Sequence, residues 1–370
     1  MRESLKKVLI VGAFPSKENK IFGGIATSCK ILINSSFSKE FELILLDSTQ
    51  ISNPPPKIII RAYLAFLRIS KFIYLTVIKK PNAIILFVAL EASLVEKGTM
   101  GWISRLLRIP VFIFPRGTRL IENAKKSALN KSAINFFLKG GDYFLCQGPT
   151  WEKFARDEIG FNEKKIKIIP NWTATNNFLK IGENKNYNIN EHINLLFLGW
   201  VEKEKGVIEL INSCIELSEN FQFNLHIAGK GSAEDEIKQL VRNSSLNNST
   251  FFLDWIYGED LENIFQKCNI LVLPSWTEGL PNAMIEAMSS GLAVVVSKVG
   301  NIPDLFIHEN QAILVEPKNI NSLTKGIESL FMNFELRKNI SISGYNYVKE
   351  NYSENESIKI FTETVNNAIK

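Results

Sequence analysis

Two glutamates, Glu278 and Glu286, sit in the segment Pro274-Ser-Trp-Thr-Glu-Gly-Leu-Pro-Asn-Ala-Met-Ile-Glu-Ala-Met. The apolar run Ile270–Leu273 reads as a strand that ends at Pro274, and a helix is predicted to start near Pro281. Proline suits a first helical position, where its missing N–H would be unpaired anyway. Glu278 then falls in the loop before the helix and Glu286 in its second turn. Backbone N–H groups at a helix N-terminus receive phosphate, and Gly279 lets the chain approach a ligand without a Cβ in the way. Carboxylates beside such a site can accept hydrogen bonds from hydroxyl groups, which diphosphate oxygens cannot donate. Taken alone, the pair could equally be a loop charge and a helix-dipole partner.

These residues need elements to hold them. Short β-branched runs alternate with helix-length segments through most of the chain. Candidate strands are 8–11, 42–46, 83–88, 111–114, 143–146 and 167–169, then 194–198, 224–228, 250–253, 270–273, 293–297 and 312–315. Runs such as VLIV, IILFV, ILVL and AVVV are apolar without alternation, as in strands buried on both faces. The expected fold class is therefore α/β, with two doubly wound parallel-sheet (Rossmann-like) domains and helices at the C-terminal end. Ligands in such sheets bind beyond the carboxyl ends of the strands.

The 370 residues suffice for two cores, with 45% hydrophobic and 22% charged residues. A net charge of +5 conceals an asymmetry: 29 Lys+Arg against 14 Asp+Glu in residues 1–185, and 14 against 24 in 186–370. Expected boundaries are an N-terminal domain over 1–175 and a linker over 176–192, which holds the polar run GENKNYNINEH. A second domain follows over 193–345, and a helix over 346–370 returns to the first. No helix-turn-helix, zinc-finger or RNP signature points to nucleic acid. Cys29, Cys146, Cys214 and Cys268 are scattered inside predicted elements and read as buried thiols. The N-terminus has no secretory pattern, so a cytoplasmic chain is expected.

At Glu278-Gly-Leu-Pro-Asn-Ala-Met-Ile-Glu286 the sequence resembles the retaining GT-B glycosyltransferases of the "glycosyl transferases group 1" family, also called family 4. The resemblance implies two Rossmann-like domains facing across a cleft and a nucleotide-diphosphate sugar bound mainly by the C-terminal half. It implies that Glu278 contacts donor-sugar hydroxyls, that Glu286 holds the ribose, and that backbone at Gly279, Leu280, Pro281 and Asn282 covers sugar and phosphate. Leu198-Gly199-Trp-Val-Glu-Lys-Glu-Lys205-Gly206 looks like the family's glycine turn and Lys-Gly segment, which would set Lys205 on the diphosphate. Trp200 stands where the family often has arginine. Ala228-Gly229-Lys-Gly231 matches an Ala-Gly-x-Gly turn. Val299-Gly-Asn-Ile-Pro-Asp304 lacks the family's second glycine at Asn301, which puts close backbone approach there in doubt. In the N-terminal half, Phe22-Gly23-Gly24-Ile25 looks like the glycine loop facing donor diphosphate and acceptor, with a plain turn as the other reading. Phe114-Pro-Arg116-Gly-Thr118 carries an arginine where many relatives have histidine. Arg116, with Arg119 beside it, reads as a phosphate contact or as a structural ion pair.

Glu278, Lys205 and Arg116 are thus the expected catalytic set, with no metal and no cofactor beyond the nucleotide sugar. The chain has no Asp-x-Asp, and His192, His226 and His308 lack ligand spacing. The resemblance implies transfer of a hexose-type sugar, with retention, to a glycan acceptor. Over residues 58–78, read as one helix, Arg61, Arg68 and Lys79 share a narrow arc in an otherwise apolar surface. Such a helix is either buried with a thin solvent stripe or interfacial, its cations meeting an anionic membrane surface. A lipid-linked glycan acceptor, as in surface-polysaccharide or lipopolysaccharide synthesis, fits the second reading. A nucleotide-sugar epimerase and a non-catalytic nucleotide-sugar-binding partner are the competing functions.

Overall fold

The computed structural model describes residues 5–14, 23–52, 56–89, 91–117, 119–189 and 192–369. Two compact units result, Met1–Trp172 with Asn355–Lys370, and Thr173–Glu354. In the first, strands β1 (Lys6–Gly12), β2 (Phe41–Asp47), β3 (Ala83–Val88), β4 (Val111–Pro115), β5 (Tyr143–Cys146) and β6 (Ile166–Ile168) form one parallel sheet. Their order is β2-β1-β3-β4-β5-β6. Every residue of β3 and β4 is buried, as their unbroken apolar runs require when helices cover both faces. Chain progression reverses between β1 and β3, the switch point beside which such sheets bind ligands.

In the second unit, β7 (Ile193–Leu198), β8 (Phe223–Ala228), β9 (Thr250–Leu253), β10 (Ile270–Leu273), β11 (Ala293–Ser297) and β12 (Ile313–Val315) run parallel in the order β12-β11-β10-β7-β8-β9. Here the reversal lies between β7 and β10, paired through Ile270↔Leu195 and Leu271↔Leu196. The segments leaving Leu198 and Leu273 therefore emerge side by side at one switch point.

Three expectations need correction. Residues 176–192 are not wholly a linker, because Asn176–Glu183 is a helix of the second unit. Phe178 meets Phe265 edge-on at 5.2 Å. Lys185 Nζ donates to the carbonyls of Phe265, Gln266 and Cys268 at 2.7–3.0 Å, at the C-terminal end of helix Glu259–Lys267. A cation there also meets the negative end of the helix dipole. The run looked like a linker because its burial is carried by a few side chains spaced among polar ones. Lys185→Met should lower unfolding free energy by about 1–2 kcal/mol, read from urea denaturation.

The returning C-terminal piece is also shorter than 346–370. Helix Phe334–Asn351 stays in the second unit, where Tyr347 and Tyr352 pack on Phe306 at 5.2 and 6.2 Å. Only 355–370, most of helix Glu354–Ala368, belongs to the first unit. Its Phe361 stacks on Trp172 at 5.5 Å and on Phe37 at 5.3 Å, and Lys6 Nζ donates to Ile369 O.

The third correction concerns helix Ile58–Lys79, whose cations do not form a single outward stripe. Arg68 turns inward and donates twice, at 2.7 Å each, to the Glu96 carboxylate on helix Glu91–Leu106. That bidentate pair holds the guanidinium above its ordinary pKa. Phe72 and Thr76 are the helix's buried residues, and most of its large apolar side chains face outward.

Candidate functional site

In the second unit, β7 runs out through Gly199 and Val201 into a tight turn, Lys203–Lys205. The turn ends at Gly206, whose φ is +71° and whose added Cβ would lie 2.1 Å from the Pro274 carbonyl oxygen. No side chain fits, so the Lys-Gly pair locks the turn onto the loop leaving β10. Trp276 N–H reinforces the junction by donating to Glu204 O at 2.8 Å. Its indole N–H donates to Glu209 Oε1 at 2.8 Å, and Lys318 Nζ lies 4.4 Å over its ring.

This packing delivers Lys205 to Glu278. Lys205 Nζ donates to Glu278 Oε1 at 2.5 Å, and Ser275 Oγ donates to the same oxygen at 3.0 Å. The two charged side chains remain 31% and 16% exposed, so each can reach a ligand. Helix Asn282–Ser289 follows with Pro281 (φ −65°) as its cap residue rather than its first helical one, and the Pro281 carbonyl accepts from Ile285 N. Asn282 is thus the first helical residue. Glu286 projects from the second turn and is 5% exposed, and burial alone pushes its carboxyl up to about 7. Leu280 is buried in the core, so any ligand contact there belongs to its backbone.

The expected glycine contacts divide. Gly199 N–H donates to Ala228 O and Gly229 N–H to Leu253 O, so neither amide is offered to an anion. A Cβ on Gly229 would sit 1.9 Å from Gly199 O, so this glycine is needed where two loops touch. At Gly199 an added Cβ meets nothing within 4 Å, leaving space above the strand end. Trp200 packs edge-on with Trp255 at 4.8 Å.

Sequence reasoning missed the support beneath Gly279. Asn301 is fully buried; its backbone N–H donates to Gly279 O at 3.0 Å and its Nδ2 lies 3.4 Å from the same oxygen. A Cβ on neighbouring Gly300 (φ +61°) would fall 1.9 Å from Glu278 O. The departure at Asn301 is thus compatible with close packing, because its amide serves the loop. The only available signal was a polar residue between a strand and a short helix.

Gly23, Gly24 and Arg116 belong to the first unit. Gly23 is extended and caps helix Gly24–Asn34; Phe22 and Thr118 lie outside the described residues. Arg116 follows β4 and donates to Ser28 Oγ at 3.0 Å, with its guanidinium 4.9 Å over Phe114 and 5.5 Å over Trp172. Desolvation pulls it down to about 10. A buried cation went unanticipated: Lys97 is 4% exposed, donates to Ser93 Oγ at 2.9 Å, and is lowered by burial to about 8. Nothing in its helical sequence context set it apart. Among the described residues, no cluster of three or more His, Cys, Asp or Glu could hold a metal ion.

The Lys205–Glu278 contact lies where the β12-β11-β10-β7-β8-β9 sheet reverses, beside the ends of β7 and β10, which is where α/β domains bind ligands. Residues 182–347 match the family described as Glycosyl transferases group 1, and the chain has the two-domain α/β fold of the GT-B type. It is 30% identical over 236 residues to an uncharacterized glycosyltransferase of Methanocaldococcus jannaschii, covering 60% of each chain. It is 24% identical over 207 residues to CapM of Staphylococcus aureus, a capsular polysaccharide biosynthesis glycosyltransferase, covering 56% of this chain and 49% of that one. The chain thus spans about half to 60% of the length of these curated relatives. The solved structure of Anabaena HepE in complex with UDP-glucose superposes with a TM-score of 0.71 at 15% identity, covering 98% of this chain and 99% of that one.

Proposed function

We propose that this chain is a glycosyltransferase that moves a hexose-type sugar from a nucleotide-diphosphate sugar to a hydroxyl of a glycan acceptor. The observation that carries the reading is the contact between Lys205 and Glu278 beside the helix that bears Glu286. Departure of a nucleotide diphosphate from the anomeric carbon leaves negative charge on phosphate and positive character on the sugar. Lys205 supplies a point charge for the first and the Asn282–Ser289 helix end a dipole. Glu278 accepts hydrogen bonds from sugar hydroxyls and Glu286 from the ribose. When phosphate draws the ammonium, Glu278 gives up one partner and takes sugar hydroxyls in its place, with Ser275 still holding its oxygen.

Transfer proceeds with retention and without a metal in this reading, with lysine and amides in place of a cation. Arg116 contacts phosphate on donor or acceptor. The name of the CapM relative supports a role in surface-polysaccharide synthesis; in this reading the acceptor is lipid-linked, as in polysaccharide or lipopolysaccharide assembly, and the enzyme works at the cytoplasmic membrane face. The test is a panel of UDP-, GDP-, ADP- and dTDP-sugars. The true donor at about 100 times its Kd should add about 2.7 kcal/mol and raise Tm by about 2–4 °C. Turnover with an acceptor should persist in EDTA. No thermal shift with any sugar nucleotide would defeat the reading.

A further inference from the structure

Helix Ile58–Lys79 is 22 residues long, about 33 Å at 1.5 Å per residue. An ordinary surface helix buries its apolar side and shows water its polar side. Of its apolar side chains this one buries only Phe72, with Ile69 and Leu75 packed beside it, and leaves a wide apolar face outward. Its inward side carries the Arg68–Glu96 pair with Phe72 and Thr76. Its outward side carries Ile59, Tyr63, Phe66, Ile73, Tyr74 and Val77, each 41–79% exposed. At about 100° per residue these six fall within an arc of about 100°, so they make one continuous strip. Apolar patches of this extent on a soluble surface mark a docking site.

The charge around the strip selects its occupant. The helix with its flanking lysines, residues 57–80, holds 6 Lys+Arg and no Asp or Glu. Of these, Arg68 is already paired with Glu96 on the neighbour helix Glu91–Leu106. Lys57, Lys71, Lys79 and Lys80 are exposed at the ends and edge of the strip, and Arg105 and Arg108 are exposed at the end of the neighbour helix. The strip itself offers no carboxylate, and Ser70 is the polar group within its arc. An apolar face with exposed lysines at both ends and one edge, and with tyrosines among its aliphatic residues, matches a bilayer whose headgroups are anionic. Among the described residues no helix is long and apolar enough to cross a membrane, so this helix would lie in the interface plane.

We propose that the outward face of helix Ile58–Lys79 inserts into the interfacial layer of an anionic lipid bilayer, anchoring the first unit there. The inference does not rest on the donor site, and its test leaves that site untouched. Full-length protein is sedimented with phosphatidylcholine vesicles, with and without 30 mol% phosphatidylglycerol, at low and high salt. Wild type should bind the anionic vesicles at least tenfold more tightly than neutral ones, with binding weakened by salt. Phe66→Glu with Ile73→Glu should cut binding at least tenfold with Tm held within about 2 °C, since both side chains are exposed. As a second measurement on a conservative variant, the fluorescence of Phe66→Trp should be quenched by brominated acyl chains. Wild type left in the supernatant with anionic vesicles at low salt would overturn the proposal. So would equal binding by the double variant, or an unquenched Trp in bound protein. A dimer or protein complex that the same double variant dissolves, without vesicle binding, would assign the face to a protein partner instead.

Discussion

Lys205→Met should lower kcat by about 100- to 1,000-fold, while the affinity for the nucleotide sugar weakens by no more than about tenfold. Removing one preorganised group aimed at developing charge costs about 2.7–4 kcal/mol of transition-state stabilisation. Lys205 meets that description because its turn is clamped by Gly206 against Pro274 and its ammonium reaches Glu278 at 2.5 Å. In the free protein part of its charge is answered by Glu278; as the diphosphate departs, the growing phosphate charge competes for it. In the proposed reaction the lysine acts more strongly in the transition state than in the ground state, which would place the loss in kcat. Steady-state kinetics with donor titration by calorimetry separates the two. A variant that loses affinity a hundredfold but keeps kcat would remove Lys205 from catalysis and leave it a binding residue.

The second large effect is a pH dependence centred on Glu286. In an unfolded chain this carboxyl has its ordinary value of 4.5, whereas burial in the fold raises it to about 7. A raised acid favours the folded state only while it holds its proton. Its contribution is therefore greatest at acid pH and is lost as pH rises from about 4.5 through about 7. A shift of this size corresponds to about 3 kcal/mol. Glu286→Gln should match wild type in stability near pH 4 and exceed it by about 2–3 kcal/mol at pH 8. Denaturant titrations at the two pH values check this. The same ionisation governs the proposed ribose contact, because a carboxylate accepts two hydroxyl donors. Donor affinity of the wild type should rise with pH through about 7. The glutamine variant should lack that rise and bind about 10- to 100-fold more weakly at pH 8. Glutamine as stable as wild type at both ends of the range would mean that burial at this position carries no such cost.

Whatever depends on local pattern is legible in the amino-acid sequence by itself. Runs such as AIILFV and ILVL lack alternation because strands covered on both faces need apolar residues at every position. Such runs, together with shorter β-branched segments between helix-length stretches, located the twelve strands of the described residues to within one or two positions. The Glu278–Glu286 segment and the Lys205-Gly206 pair were legible for a related reason. A strand, a tight loop and a helix start each impose their residue types over a few positions, so their chemistry stays contiguous in the chain.

Tertiary structure decided what depends on partners distant in sequence. Asn301 supports Gly279 across 22 residues and Lys185 satisfies carbonyls about 80 residues away, so neither announces itself locally. Lys97 is buried and Arg116 half-buried in surroundings that no spacing reveals. Helix Ile58–Lys79 shows the division most plainly. Its period specified which residues share a side, but a helix apolar nearly all round does not say which side faces in. Glu96, contributed by another helix 28 residues on from Arg68, settled that orientation by giving a half-buried arginine its counter-charge.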